Sequence, residues 1–162
     1  MSNNSNKGLY YNFILEPLGM YSAGSDESVS QMSAAFGVRS AINDLARFNP
    51  KLGQILQKAG YDKIQFTDLL PPNEEGERVG GETDECADTQ PGDQNEPDFR
   101  IAGRIFDVPI PPGALINSRF ATIHEFGHAL NDLLGQIFSK KNYTDTVEFK
   151  NAYNADFNYL KD

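Results

Sequence analysis

The sequence is short of several residue types, and each shortage excludes a class of protein. The chain of 162 residues has a single cysteine, Cys86, so no disulfide can form within it. Its 14 lysines and arginines form no basic stripe against 23 acids, which argues against nucleic acid as a partner. No apolar run approaches the roughly 20 residues that span a bilayer. Residues 1–8 lack the apolar core of a signal peptide, so the localisation stays open. The sequence also leaves the oligomeric state open.

The excess of acid is confined to one segment. Residues 71–98 carry ten acids and one base, a net charge of −9, and the rest of the chain balances at 13 acids and 13 bases. From Asn73 to Asp98 the segment has almost nothing to bury, so it cannot offset its ordering entropy. We predict an acidic mobile loop over 71–98. Cys86 lies within it and is interpreted as an incidental loop cysteine, because no neighbouring base activates its thiol.

The remaining sequence predicts an α+β domain over 25–162, preceded by an N-terminal arm over 1–24 that has room for one strand. Ser25 is a good cap for a first helix, and Asn49-Pro50 ends it and starts a second helix that stops at Gly60. Strands are expected over Lys63–Asp68, between 99 and 110, and at Leu115-Ile116. Two further helices are predicted, from Asn117 or Ser118 to Leu134 and from about Asp145 onwards.

Apolar spacing also predicts which helix faces are buried. The expected core positions are Met32, Ala35, Phe36, Ile42, Leu45 and Ala46 on the first helix, Phe120, Ile123, Gly127, Leu130 and Leu134 on the third, and Phe149, Ala152, Tyr153 and Phe157 on the last.

Both histidines of the chain lie in the stretch His124-Glu125-Phe126-Gly127-His128. On a helix, positions i and i+4 share a face, so two imidazoles at this spacing can converge on one metal ion. Zinc is the metal that this donor set suits, and Glu125 beside it is typical of a general base that activates water. We therefore predict that His124 and His128 bind Zn²⁺ and that Glu125 is the catalytic residue.

A catalytic zinc takes a third protein ligand, and the sequence leaves its identity open. Glu148 lies twenty residues after His128, at a spacing that resembles thermolysin-type enzymes. Asp145 followed by Glu148 also fits an N-terminal helix cap, which would occupy that glutamate structurally. Asp156 is a second candidate in the same predicted helix.

One family resemblance is specific. The stretch from His124 to Asp132, with its continuation through Gly135, resembles the catalytic helix of the anthrax lethal factor peptidase family. Val147-Glu148-Phe149-Lys150-Asn151-Ala152-Tyr153 and Phe66-Thr67-Asp68-Leu69-Leu70-Pro71 are similar to later and earlier parts of that domain. The resemblance implies a zincin fold, thermolysin-like and α+β, with a small sheet, an HExxH active-site helix and a C-terminal helix. It also implies that the third ligand, a glutamate, lies beyond Asp162.

The function expected from these residues is that of a zinc-dependent metalloendopeptidase that acts on a peptide or protein substrate. The resemblance implies a toxin or a secreted effector. The alternative is a non-catalytic or truncated zincin-fold module that lacks the third zinc ligand and acts in binding.

Overall fold

The structure, a computed structural model, describes residues 13–83, 98–106 and 115–161. Its strands are β1 (Ile14–Pro17), β2 (Lys63–Thr67), β3 (Gly81–Thr83) and β4 (Phe99–Ala102). Its helices are α1 (Asp26–Phe48), α2 (Pro50–Lys58), α3 (Ser118–Ile137) and α4 (Val147–Lys161), with a 3₁₀ turn over Tyr143–Asp145. The described part of the chain is therefore α+β, as predicted.

The four strands form one mixed sheet in the order β1-β2-β4-β3. β1, β2 and β4 are parallel, and β3 pairs with β4 in the antiparallel direction, with Gly81 opposite Ile101 and Thr83 opposite Phe99. Among the described strands β3 pairs only with β4, so it lies at an edge of this sheet. Gly81–Thr83 falls inside the segment predicted to be loop, so ordered structure reaches further into that segment than its composition indicated.

Local capping accounts for where α1 and α2 begin. The Ser25 hydroxyl accepts a hydrogen bond from the Ser28 amide, and Asn49 caps α2 through its bond from the Lys51 amide. Pro50 is the first residue of α2, and Gly60, with a φ of +93°, follows the end of this helix. These predicted boundaries are confirmed.

The predicted buried faces are partly wrong. On α1 the buried residues are Ser30, Ala34, Val38, Ala41 and Ile42, whereas Met32 and Phe36 are 59% and 64% exposed. Most buried residues of α1 are small because this helix packs closely against α3. At Gly37, for example, an added Cβ would lie 2.5 Å from the Ser118 Cβ. Among the predicted core residues of α3, Phe120, Ile123 and Gly127 are likewise exposed.

The last helix differs most from the prediction. α4 begins at Val147, and Thr146 rather than Asp145 caps it, since the Thr146 hydroxyl accepts from the Phe149 amide. None of its residues is buried; Tyr153 and Phe157 are exposed, and Phe149 is half-buried. α4 contacts the 3₁₀ turn before it. Its apolar side chains therefore stack along the helix instead of entering the core, with ring centroids 6.2 Å apart from Phe149 to Tyr153 and from Tyr153 to Phe157.

Two other predictions are resolved only in part. Leu115-Ile116 is not a strand, and β4 ends at Ala102, earlier than the apolar residues after Gly103 indicated. Residues 107–110 of that predicted strand, residues 1–12 of the arm, and residues 84–97 of the predicted acidic loop, with Cys86, lie outside the described residues. Within the described ranges, no helix is long and apolar enough to cross a membrane.

A buried ion pair lies where the sheet meets both long helices. Arg104 donates to both carboxylate oxygens of Asp68, at 2.6 and 3.0 Å, and both side chains are about 5% exposed or less. The Asp68 carbonyl accepts from the Ser30 hydroxyl of α1, and the Gly103 carbonyl accepts from the Ile116 amide just before α3. The ends of β2 and β4 are thereby tied to the start of the helix that carries the histidines.

Candidate metal centre

Helix α3 presents the histidine motif to solvent by burying its opposite face. Asn117 caps the helix through a 3.0 Å bond from the Phe120 amide. Phe126 and Ala129 are 2% and 1% exposed, and the Phe126 ring lies 5.1 Å from Phe99 of β4. With these side chains fixed in the core, helical geometry turns His124 and His128 outwards.

The two imidazoles meet at their ε nitrogens. The Nε2 atoms of His124 and His128 are 2.9 Å apart, and the ring centroids are 4.6 Å apart. At that separation one ring nitrogen can donate a hydrogen bond to the other. Two donors of a tetrahedral zinc site are roughly 3.3 Å apart, given zinc–nitrogen bonds of about 2.0–2.1 Å. A small rotation of either ring brings the pair to that spacing, so these side chains fit two positions of a zinc site.

Glu125 sits between the histidines in sequence but lies against the edge strand. Its side chain is 7% exposed, and one carboxylate oxygen, Oε2, accepts a 2.5 Å hydrogen bond from the Thr83 hydroxyl. The other oxygen, Oε1, is so close to Gly81 that an added Cβ there would lie 2.8 Å from it. Gly81 and Thr83 are two positions apart on β3, so both face α3. Together they enclose the Glu125 carboxyl group.

A cleft of about 930 Å³ lies over these residues. One wall is the run from Val79 to Thr83, and the other is α3 from Phe120 to Gln136. His124, Glu125 and His128 all line it. The edge strand, the two ring nitrogens and the carboxyl group therefore share one concave surface, where one ligand could contact all of them.

A second concavity, of about 420 Å³, adjoins the histidines on their other side. Leu130, Leu134, Tyr143 and Phe149 line it together with both imidazoles. Its surface is mainly apolar, and the histidine pair lies between the two concave surfaces.

The third ligand is not found among the described residues. No group of three or more His, Cys, Asp or Glu side chains there is close enough to hold a metal ion. Glu148 and Asp156, the two candidates within the chain, are exposed on α4 and line neither concavity. The structure thus brings His124, His128 and Glu125 together and leaves both acids of α4 apart from them.

Thr83 and Gly81 were not singled out from the sequence. Both lie in a segment whose composition indicated a loop, and the three residues of β3 are too few for a strand pattern. The signal that could have found them is the pair Gly80-Gly81, two positions before Thr83. Glycine in a strand permits close approach of another element to the backbone.

Comparison with known proteins adds no relative: the chain matches no protein-family model, and neither a curated protein nor a solved structure is significantly similar to it.

Proposed function

We propose that the chain is a zinc-dependent metalloendopeptidase of the zincin type. The observation that carries the proposal is the convergence of the His124 and His128 ε nitrogens at 2.9 Å in a cleft that also contains the Glu125 carboxyl group. The resemblance to the lethal factor peptidase family supports the same activity and extends the proposal to a secreted toxin or effector.

In this proposal His124 and His128 hold the zinc ion. A zinc ion bound there would supply Lewis acidity. It would polarise a carbonyl group and lower the pKa of a bound water to about 7. Glu125 takes the proton of the attacking water and passes it to the leaving amine. Its burial under β3 suits that role, because a fixed carboxylate needs no reorientation when the water is deprotonated.

The substrate would be an extended peptide beside β3. An edge strand offers unpaired backbone groups to which another strand can add. Because β3 forms one wall of the cleft and the histidines lie along the other, a peptide added there would pass the metal-binding nitrogens.

The test is zinc content and peptide cleavage in the wild-type chain and in Glu125→Ala. We expect the wild type to hold about one zinc per chain and to cleave an unfolded protein such as reduced casein. Glu125→Ala should keep the zinc and lose at least about a hundredfold in rate, since general-base catalysis contributes roughly 10²–10⁴-fold. His128→Ala should lose both.

The second candidate is a non-catalytic zincin-fold module that acts in binding. The observation in its favour is that no group of three or more His, Cys, Asp or Glu side chains among the described residues could hold a metal ion, whereas a catalytic zinc takes three protein ligands. The same measurements separate the two candidates. A wild-type chain that takes up no zinc when the metal is supplied contradicts the peptidase proposal at its first step, and zinc uptake without cleavage favours the binding module.

A further inference from the structure

The cleft has a positively charged end. Lys140 and Lys141 line it just beyond α3, and both are exposed and form no ion pair with any described side chain. This end stands out because the chain as a whole carries a net charge of −9. A ligand in the cleft can therefore meet two ammonium groups that the described residues leave unneutralised.

Among the described residues, the acids at the lysine end of the cleft are too few to cancel the two lysines. Glu82 pairs with Arg100 at 3.6 Å, and Glu125, which keeps its charge while it accepts from Thr83, lies between the histidines and away from the lysines. Asp132, the acid on the lysine side of the histidines, accepts a 3.4 Å bond from Gln136. At the lysine end, one described acid against two ammonium groups leaves one positive charge, and the C-terminal end of α3 offsets only about half of it.

The lysines lie several residues of extended peptide away from the histidines. The Lys140 amide donates to the Gly135 carbonyl, which places its backbone beside that residue. With a helical rise of about 1.5 Å per residue, Gly135 is roughly 10–14 Å along the axis from the histidine pair. An extended peptide advances about 3.3 Å per residue, so the distance corresponds to three or four residues.

The direction of the peptide follows from how β3 lies on α3. An added Cβ at Gly80 would contact Ala121, and one at Gly81 would contact Glu125, so strand and helix run the same way here. Antiparallel addition is the somewhat more stable pairing. A peptide antiparallel to β3 therefore has its N-terminal residues towards Lys140 and Lys141.

We propose that Lys140 and Lys141 select peptides with an acidic side chain three or four residues before the scissile bond. The proposal deepens the proposed function and rests on it for the position of that bond. The partner is a peptide whose acidic N-terminal part meets the lysines and whose following residues lie across the histidines.

The test is binding to the full chain carrying Glu125→Ala, which avoids turnover. Three fluorescein-labelled peptides share an apolar centre and carry Asp-Asp, Ser-Ser or Lys-Lys at the third and fourth positions before the central bond. By fluorescence anisotropy we expect the Asp-Asp peptide to bind roughly 2- to 10-fold more tightly than Ser-Ser, the range expected for two solvent-exposed ion pairs. The preference should disappear in about 0.5 M NaCl, where exposed charges are screened.

Charge reversal supplies the control. Lys140→Glu with Lys141→Glu should reverse the ranking, so that the Lys-Lys peptide binds best. Lys51→Glu with Lys58→Glu makes the same charge change on α2, outside the cleft, and should leave the ranking as it was. An unchanged ranking in the first variant, an equal change in both, or no binding of any peptide would overturn the inference. Zinc uptake and casein cleavage by the wild type are measured separately, so failure of the peptidase proposal is recognised independently.

Discussion

At the scale of single residues, the candidate site depends on how the Glu125 carboxyl group is held. Two small features of β3 do this: the missing side chain of Gly81 leaves room for one oxygen, and the Thr83 hydroxyl donates to the other. The same hydroxyl lies 3.1 Å from the Glu125 backbone carbonyl. Thr83 therefore joins the edge strand to the motif helix at the residue proposed to act as the base.

Replacing Thr83 by valine should destabilise the chain and impair the base. Valine has the same shape but no donor, so the nearly buried Glu125 carboxylate loses a hydrogen bond. We expect the free energy of unfolding to fall by about 1–2 kcal/mol. Peptide cleavage should fall by about tenfold, the lower end for a residue that orients part of a metal site. The measurements are urea unfolding and the cleavage rate at saturating zinc.

Thr83→Ser is the matched control because it keeps the hydroxyl and loses one methyl group. It should retain most of both quantities. If the serine and valine variants behave alike, the donor is irrelevant and Thr83 acts only through packing.

At the scale of elements, the position of α3 is set by its crossing with α1. Gly37 lies at that crossing, where an added Cβ would be 2.6 Å from the Arg119 amide nitrogen as well as close to Ser118. Gly127 is also a helical glycine, but an added Cβ there would contact nothing within 4 Å. The two glycines allow one substitution to be compared in a tight and an open place.

Gly37→Ala and Gly127→Ala should change stability in opposite directions. At Gly37 the methyl group forces the helices apart, and we expect a loss of about 1–3 kcal/mol. At Gly127 the methyl group meets no atom and alanine is the better helix former, so we expect a gain of about 0.5–1 kcal/mol. Thermal unfolding of both variants measures the difference. Two shifts of the same sign would contradict the close crossing.

The elements also show what could be predicted from the sequence. Ser25, Asn49-Pro50 and Asn117 locate the starts of α1, α2 and α3 because capping is a local interaction that the sequence records directly. Likewise the spacing of His124 and His128 is sufficient to place two imidazoles together, since one helix carries both.

Features that depend on distant partners could not be predicted in the same way. Phe36 has the apolar character and the spacing of a core residue, but it is exposed. Because α1 and α3 cross closely, most of the buried positions of α1 are occupied by smaller side chains. The importance of Thr83 arises only when a three-residue strand pairs with β4 and meets α3. α4 is exposed because no element among the described residues covers it. Whether a helix is covered depends on the rest of the chain, so the pattern of residues within α4 could not predict it.

At the scale of the whole molecule, the Asp68–Arg104 pair is the polar junction of the fold. It lies where β2 and β4 end, and its neighbours reach α1 through Ser30 and the start of α3 through Ile116. Removing one charge of a buried pair takes away the opposite charge that its partner faces, at a cost of about 3–5 kcal/mol. Domains are stable by only about 5–15 kcal/mol, so this one junction accounts for a large share of the total.

Asp68→Asn should therefore lower the free energy of unfolding by about 3 kcal/mol, since asparagine keeps the size but not the charge that faces Arg104. Asp44→Asn is the control, because Asp44 pairs with Arg119 at the surface, where the arginine side chain is 51% exposed. Exposed pairs contribute roughly 0–1 kcal/mol, so this variant should unfold close to the wild type. Urea titration measures both, with a lower midpoint and an unchanged slope expected for Asp68→Asn. Equal midpoints for the two variants would mean that the buried pair contributes no more to stability than the exposed one.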